Sequence, residues 1–119
     1  MFGTVEIDLS KYGAEGKVVV GPMTFRRTKE SQNAVTYALR RNGGTELSLS
    51  DLNLGDIETI TKLAYIRSAP FSTDLSDLSS FYDWTDMLDE KRVGAAQEFY
   101  DDLGEAIEKV ESGEAHPLE

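Results

Sequence analysis

The sequence predicts a mainly α fold, three to four helices packed as one domain, preceded by a short N-terminal β-hairpin. Three observations lead there. Val5, Ile7 and Leu9 alternate with Glu6, Asp8 and Ser10, the period of a strand with one wet face. From Thr24 onward apolar residues recur instead every three or four positions, the period of helices with one buried stripe. The chain has 119 residues with no internal repeat, low-complexity tract or linker, a length at which one domain buries about two-thirds of its unfolded surface. The expected layout is a hairpin over 4–20, a helical body over 24–112 and a flexible tail over 113–119.

Each element has its own local warrant. A second strand follows at Lys17–Val20, and between the strands Gly13 and Gly16 stand where a turn needs positive φ; Gly21-Pro22 ends the hairpin. The first long helix spans Thr24 to Arg41, with Thr24 or Thr28 as cap, Ala34, Val35, Ala38 and Leu39 at helical spacing, and Asn42-Gly43-Gly44 as its stop. Thr45 to Leu54 fits either a short strand or an irregular loop with a helical turn. A second helix is read from Asp56 to Ser68, with Ile57, Ile60 and Ala64 on one stripe and Pro70 as terminator. Ser72-Thr73-Asp74 offers cap oxygens for a third helix from Leu75 to about Leu88, whose apolar positions cover more than one narrow stripe.

The last helix begins near Asp89 or Glu90 and carries Val93, Ala96, Tyr100, Leu103, Ile107 and Val110, with Phe99 and Ala106 beside that stripe. The stripe is shorter than a coiled-coil seam requires and reads as packing within the domain. Gly94 and Gly104 inside it each cost about 1 kcal/mol relative to alanine, which points to close helix contact or local pliability.

Composition removes whole classes of chemistry. There is no cysteine, and the single histidine, His116, stands in the last few residues, so disulfides, thiolate metal sites and a histidine triad find no support. No basic leader and no apolar window approaching about 20 residues is present, which predicts a cytoplasmic protein without a membrane span. The formal net charge of -10 opposes contact with nucleic acid or an anionic membrane and favours a basic protein partner. That charge is unevenly spread. Through Arg67 nine basic residues face eight acidic ones, whereas from Ser68 onward three basic residues face fourteen carboxylates. The acidic half is read as either the wet face of helices or a surface for a partner.

Candidate constellations follow. Asp83, Asp86, Asp89 and Glu90 recur at helical spacing but diverge into water and are not read as a metal site; no cofactor is expected. Asp51 to Lys62 begins like an EF-hand loop and fails at three positions, including Asp56 where glycine belongs and Lys62 where glutamate belongs. Gly43-Gly44-Thr45 lacks the lysine of a phosphate loop. Without a carboxylate inside an apolar run that would shift its pKa, no enzyme is expected. Arg26, Arg27, Arg40 and Arg41 form two pairs nearly four turns apart on one side of the first helix. They suit pairing with the acidic half, within one molecule or between copies, ordinary solvated ends, or contact with nucleic acid, which the net charge of -10 opposes. Tyr65, Phe71, Phe81, Tyr82 and Trp84 cluster within twenty residues, as a core junction or, where Phe71 or Trp84 is exposed, as an anchor for a partner.

Several pieces together resemble the small tail assembly chaperones of long-tailed phages and prophages of Gram-positive bacteria. They are Val5-Glu6-Ile7-Asp8-Leu9-Ser10-Lys11-Tyr12; Gly21-Pro22-Met23-Thr24-Phe25-Arg26-Arg27 with Gln32-Asn33-Ala34; Leu54-Gly55-Asp56-Ile57; and Ala64-Tyr65 with Ser68-Ala69-Pro70-Phe71. The acidic Trp84-Thr85-Asp86-Met87-Leu88-Asp89 and the ending Ile107 to Glu114 with Pro117-Leu118 continue the pattern. The resemblance implies a non-enzymatic protein of the host-cell cytoplasm that coats the tape measure protein, recruits tail tube subunits and leaves before the virion is complete. The residues themselves offer Arg26, Arg27, Arg40, Arg41, Phe71 and Trp84 as candidates for protein-protein contacts, with self-association as a further option. A structural tail or head-tail connector protein, and an acidic inhibitor that binds another protein, are the competing non-catalytic classes.

Overall fold

The computed structural model of the chain describes residues 3–41 and 54–113. Two strands, β1 (Val5–Asp8) and β2 (Lys17–Val20), pair antiparallel with Val5 opposite Val20 and Asp8 opposite Lys17. They are joined by a 3-10 turn at Leu9–Tyr12 that Asp8 caps through its side chain. Gly13 and Gly16 hold φ of 84° and 95°, so the hairpin closes where glycine relieves the steric cost of the left-handed region. Helices α1 (Phe25–Arg41) and α2 (Leu54–Leu63) come next, then a third strand β3 (Ile66–Ser68), then α3 (Leu78–Lys91) and α4 (Ala95–Ser112). The fold is thus mainly α, with a small antiparallel sheet of order β1-β2-β3 built on the N-terminal hairpin.

Three boundaries differ from expectation. The second helix stops at Leu63, because Ile66–Ser68 leaves it to pair with β2, where Val20 stands opposite Ile66 and Val19 opposite Ser68. The third helix starts at Leu78 and is capped by Asp77, whose carboxylate accepts from the Ser80 amide at 3.4 Å. Asp74 instead organises the preceding turn, accepting from the Ser76 amide at 3.0 Å. The last helix starts at Ala95 after a break at Arg92–Gly94; Gly94 is its N-cap with φ of 86°, and Val93 lies 93% exposed outside the stripe. The Asn42-Gly43-Gly44 stop, most of the Thr45–Leu54 connection and the tail beyond Gly113 lie outside the described residues.

One apolar core joins these elements. From α4, Ala95, Phe99, Leu103, Ala106 and Val110 are buried at steps of four, four, three and four, a stripe facing both the sheet and α3. A column of rings runs through it. Phe71 lies 4.8 Å from Trp84, Trp84 meets Phe99 edge-on at 5.0 Å, and Phe99 meets Tyr12 edge-on at 5.6 Å. Edge-on pairs set the positive ring edge against the negative face and add to the gain from burial. The outer end of the column is tied by charge: the Tyr12 hydroxyl donates to Asp102 at 2.5 Å and the Lys11 ammonium donates to the same carboxylate at 2.9 Å. Those two hydrogen bonds hold the Asp102 carboxyl below its ordinary pKa, while burial and then Asp102 push the Tyr12 phenol up.

Candidate protein-binding surface

Helix α1 is positioned by a cap, two small residues and one long polar side chain. Thr24 Oγ1 accepts from the Arg27 amide at 3.2 Å, satisfying an otherwise orphaned N–H of the first turn. Ala34 and Ala38, one turn apart, are both buried. They line a cavity of about 180 Å³ that also touches Ile60 of α2, Leu75, and Leu78 and Tyr82 of α3.

Arg27 supplies the remaining attachment. Its side chain is only 12% exposed, and its guanidinium donates to three carbonyls and one carboxylate. Nη2 reaches the Leu63 carbonyl and Nε the Ala64 carbonyl, both at 3.0 Å, and Nη1 reaches Thr73 at 3.2 Å and Glu30 at 3.0 Å. The last carbonyls of a helix lack intrahelical donors, so Arg27 closes the C-terminus of α2 and fastens α1 to it. Arg67 lies alongside, donating to the Ala64 carbonyl at 3.3 Å. Its pKa is lowered by burial first and by the nearby Arg27 second. A Cβ on Gly21 would stand 3.1 Å from Arg67 Cγ, so the missing side chain there admits the guanidinium stem.

The arginine pairs therefore divide. Arg27 is a structural clamp and unavailable to a partner, while Arg26 and Arg40 are exposed; Arg41 ends α1, and its side chain is not among those described. At about 100° per residue, Arg26, Asn33, Tyr37 and Arg40 fall on one stripe of α1 roughly 60° wide. Tyr37 is 58% exposed on that stripe, and Phe25, 78% exposed, stands at the helix start with the Lys29 ammonium 5.4 Å from its ring centroid. Sequence reasoning missed Phe25 and Tyr37. A helix whose only fully buried apolar residues are alanines leaves its rings outside, and that imbalance was the available signal.

Phe71 and Trp84 are the opposite case. At 8% and 7% exposure both belong to the ring column, so neither is available as a surface anchor. Between the two halves, Lys11 reaches Asp102 at 2.9 Å and Glu98 at 3.8 Å, and the charge of Arg27 contributes, after the Ser76 hydrogen bonds, to lowering the pKa of Asp74. Asp83, Asp86 and Glu90 are exposed along α3, and Asp89 accepts from the Ala96 amide at 3.1 Å, tying the α3–α4 corner. Between α2, α3 and α4 the Tyr82 hydroxyl donates to Asp56 at 2.5 Å, and the Lys62 ammonium sits 3.8 Å above the Tyr100 ring. Burial first and the Asp56 contact second push the Tyr82 phenol up to about 12. Among the described residues no group of three or more acidic or histidine side chains is placed to hold a metal ion, and no helix is long and apolar enough to cross a membrane.

No protein-family profile matches the chain, and comparison with curated proteins and with solved structures finds no match either.

Proposed function

We propose that this chain is a non-enzymatic tail assembly chaperone of a long-tailed phage or prophage, which binds the tape measure protein and recruits tail tube subunits. The observation that carries the reading is the outward stripe of α1, where Tyr37, Arg26 and Arg40 stand exposed beside Phe25 on a helix fastened from behind by Arg27. Aromatic and arginine side chains are the residues that anchor protein interfaces. A net charge of -10 keeps such a complex dispersed while an aggregation-prone client is held. The resemblance of the sequence pieces to the chaperone family supplies the client. In this reading the protein acts in the host-cell cytoplasm and needs no cofactor.

Co-expression tests it. A co-expressed tape measure protein of a long-tailed phage is expected to stay soluble in the presence of this chain, and Tyr37→Ala with Arg26→Glu is expected to return it to the insoluble fraction. A tape measure protein equally insoluble with and without the chain, or the chain present at full stoichiometry in mature tails, would sink the proposal.

A further inference from the structure

The sheet leaves one edge beside a helix, and that edge is where a second interaction can be read from backbone geometry alone. β1 pairs with β2 on one side, and among the described residues no strand lies on the other. The Leu9 amide donates to the Gly16 carbonyl at 3.1 Å, in register with the Val5–Val20 and Ile7–Val18 pairs. Bonded and non-bonded pairs alternate in an antiparallel ladder, so Val5, Ile7 and Leu9 turn their backbone groups toward β2. Glu6 therefore directs both its N–H and its C=O outward and Asp8 its N–H, while the Asp8 carbonyl, at the N-cap of the 3-10 turn, accepts the first bond of that turn.

Those groups open into a groove of about 390 Å³ between the β1 edge and α4. Every residue of β1 lines it, together with Asp102, Glu105, Ala106 and Lys109 of α4, and no residue of β2 does. A strand edge facing a helix across a groove is the arrangement by which an extended peptide adds to a sheet: main-chain hydrogen bonds hold it and alternate side chains are read on the two faces. On the inner face stand buried Ile7 and Ala106; on the wet face stand exposed Glu6 and Asp8. Carboxylates outnumber ammonium groups around the groove, and Lys11 is already committed to Asp102. The wet face displays the matching contact, where Lys17 of β2 donates across the strands to Glu6 at 3.0 Å.

We infer that the outer edge of β1 accepts, as an antiparallel fourth strand, an extended segment of a partner protein in which apolar and basic residues alternate. Apolar side chains pack toward Ala106 and basic ones meet Glu6 and Asp8. The inference uses neither the α1 stripe nor the chaperone reading and stands or falls apart from them.

The test is a titration of the isotope-labelled full chain with a blocked heptapeptide alternating valine and lysine, followed by amide NMR. The Glu6 and Asp8 amide signals are expected to shift and their hydrogen exchange to slow, with a glutamate-for-lysine peptide binding at least about tenfold more weakly. Residues opposite Glu6 and Asp8 share the wet face, so the peptide's lysine amides bond to the edge and its valine amides point away. N-methylation of the lysine amides is therefore expected to abolish binding, and N-methylation of the valine amides to spare it. Glu6→Pro removes one outward N–H without touching the β1–β2 ladder and is expected to weaken binding about tenfold. Shifts confined to other surfaces, equal effects of the two N-methylation patterns, or protection of Glu6 through dimerisation of the free chain would each overturn the assignment. The N-methyl comparison uses the unaltered protein and decides even where the proline variant does not fold.

Discussion

Helices α1 and α4 are nearly equal in length and are held in opposite ways. α4 buries Ala95, Phe99, Leu103, Ala106 and Val110 and touches β1, β2, the 3-10 turn, α2 and α3. α1 buries fully only Ala34 and Ala38, and its attachment depends on the Arg27 hydrogen bonds to carbonyls at the end of α2. Apolar burial is non-directional and summed over area, so α4 can be the centre of the fold. A polar clamp costs little apolar surface, so α1 is secured while its aromatic and cationic side chains stay outside. Burial in the core and exposure of aromatic and cationic side chains thus fall to different helices.

The largest break in that contrast should come from Phe99→Ala. Phe99 is fully buried between Tyr12 and Trp84, and its loss is expected to cost about 3 to 5 kcal/mol in denaturant unfolding. Arg27→Ala should follow at about 2 to 3 kcal/mol, since it strips donors from the Leu63, Ala64 and Thr73 carbonyls at once. Arg27→Lys is expected to recover only part, because an ammonium cannot span carbonyls that the planar guanidinium reaches together.

pH sharpens the same comparison. The Tyr82 and Tyr65 phenols are both pushed up to about 12 in the folded chain, by burial first and by the carboxylates of Asp56 and Glu111 second. A raised pKa favours the neutral phenol in the fold, so this contribution is complete below about pH 10 and is lost as pH climbs from 10 toward 12. Alkaline unfolding should therefore begin in that window, and Tyr82→Phe should reduce its steepness. Asp102 works in the other direction: its depressed pKa gives stability that is present above its ordinary value and lost as acid protonates it. The smallest expected effect is on α1's outer stripe. Tyr37→Ala and Arg40→Glu should each change stability by less than about 0.5 kcal/mol while, under the proposed function, leaving more of a co-expressed tape measure protein in the insoluble fraction.

Much of this fold could be read in the residues, and the reasons for the misses are local. Alternation from Val5 reports burial directly, because the pattern belongs to one face; in α4 the expected stripe holds at Leu103 and Val110, but Ala96, Tyr100 and Ile107 are only half-buried and the flanking Phe99 and Ala106, with Ala95, complete the buried row. The end of the second helix misled because Ile57, Ile60 and Ala64 set a helical stripe and Pro70 stood as its apparent stop, while the strand that draws Ile66 out of the helix, β2, is distant in sequence. Val93 misled because it fits the spacing of α4, yet the positive φ of Gly94 breaks the chain immediately after it. The candidate binding surface was half legible. Arg26 and Arg27 are neighbours in sequence with opposite fates, and what separates them is a set of carbonyls from Leu63, Ala64 and Thr73 that come together only once the chain has folded. Phe71 and Trp84 are aromatic residues that either a core or an interface would use, and only packing decides between the two.

The pairing of β2 with β3 also sets an order in time. Val20 meets Ile66, and the Gly21 amide donates to the Tyr65 carbonyl at 2.9 Å, so the two ends of everything from α1 through α2 are fastened at one point. Closing so long an excursion costs chain entropy before any contact repays it, whereas the β1–β2 hairpin and the α3–α4 corner join near neighbours. The third strand is accordingly expected to dock late, after the local units have formed. A weakened contact at Ile66 would then speed the loss of the native state far more than it slows its formation.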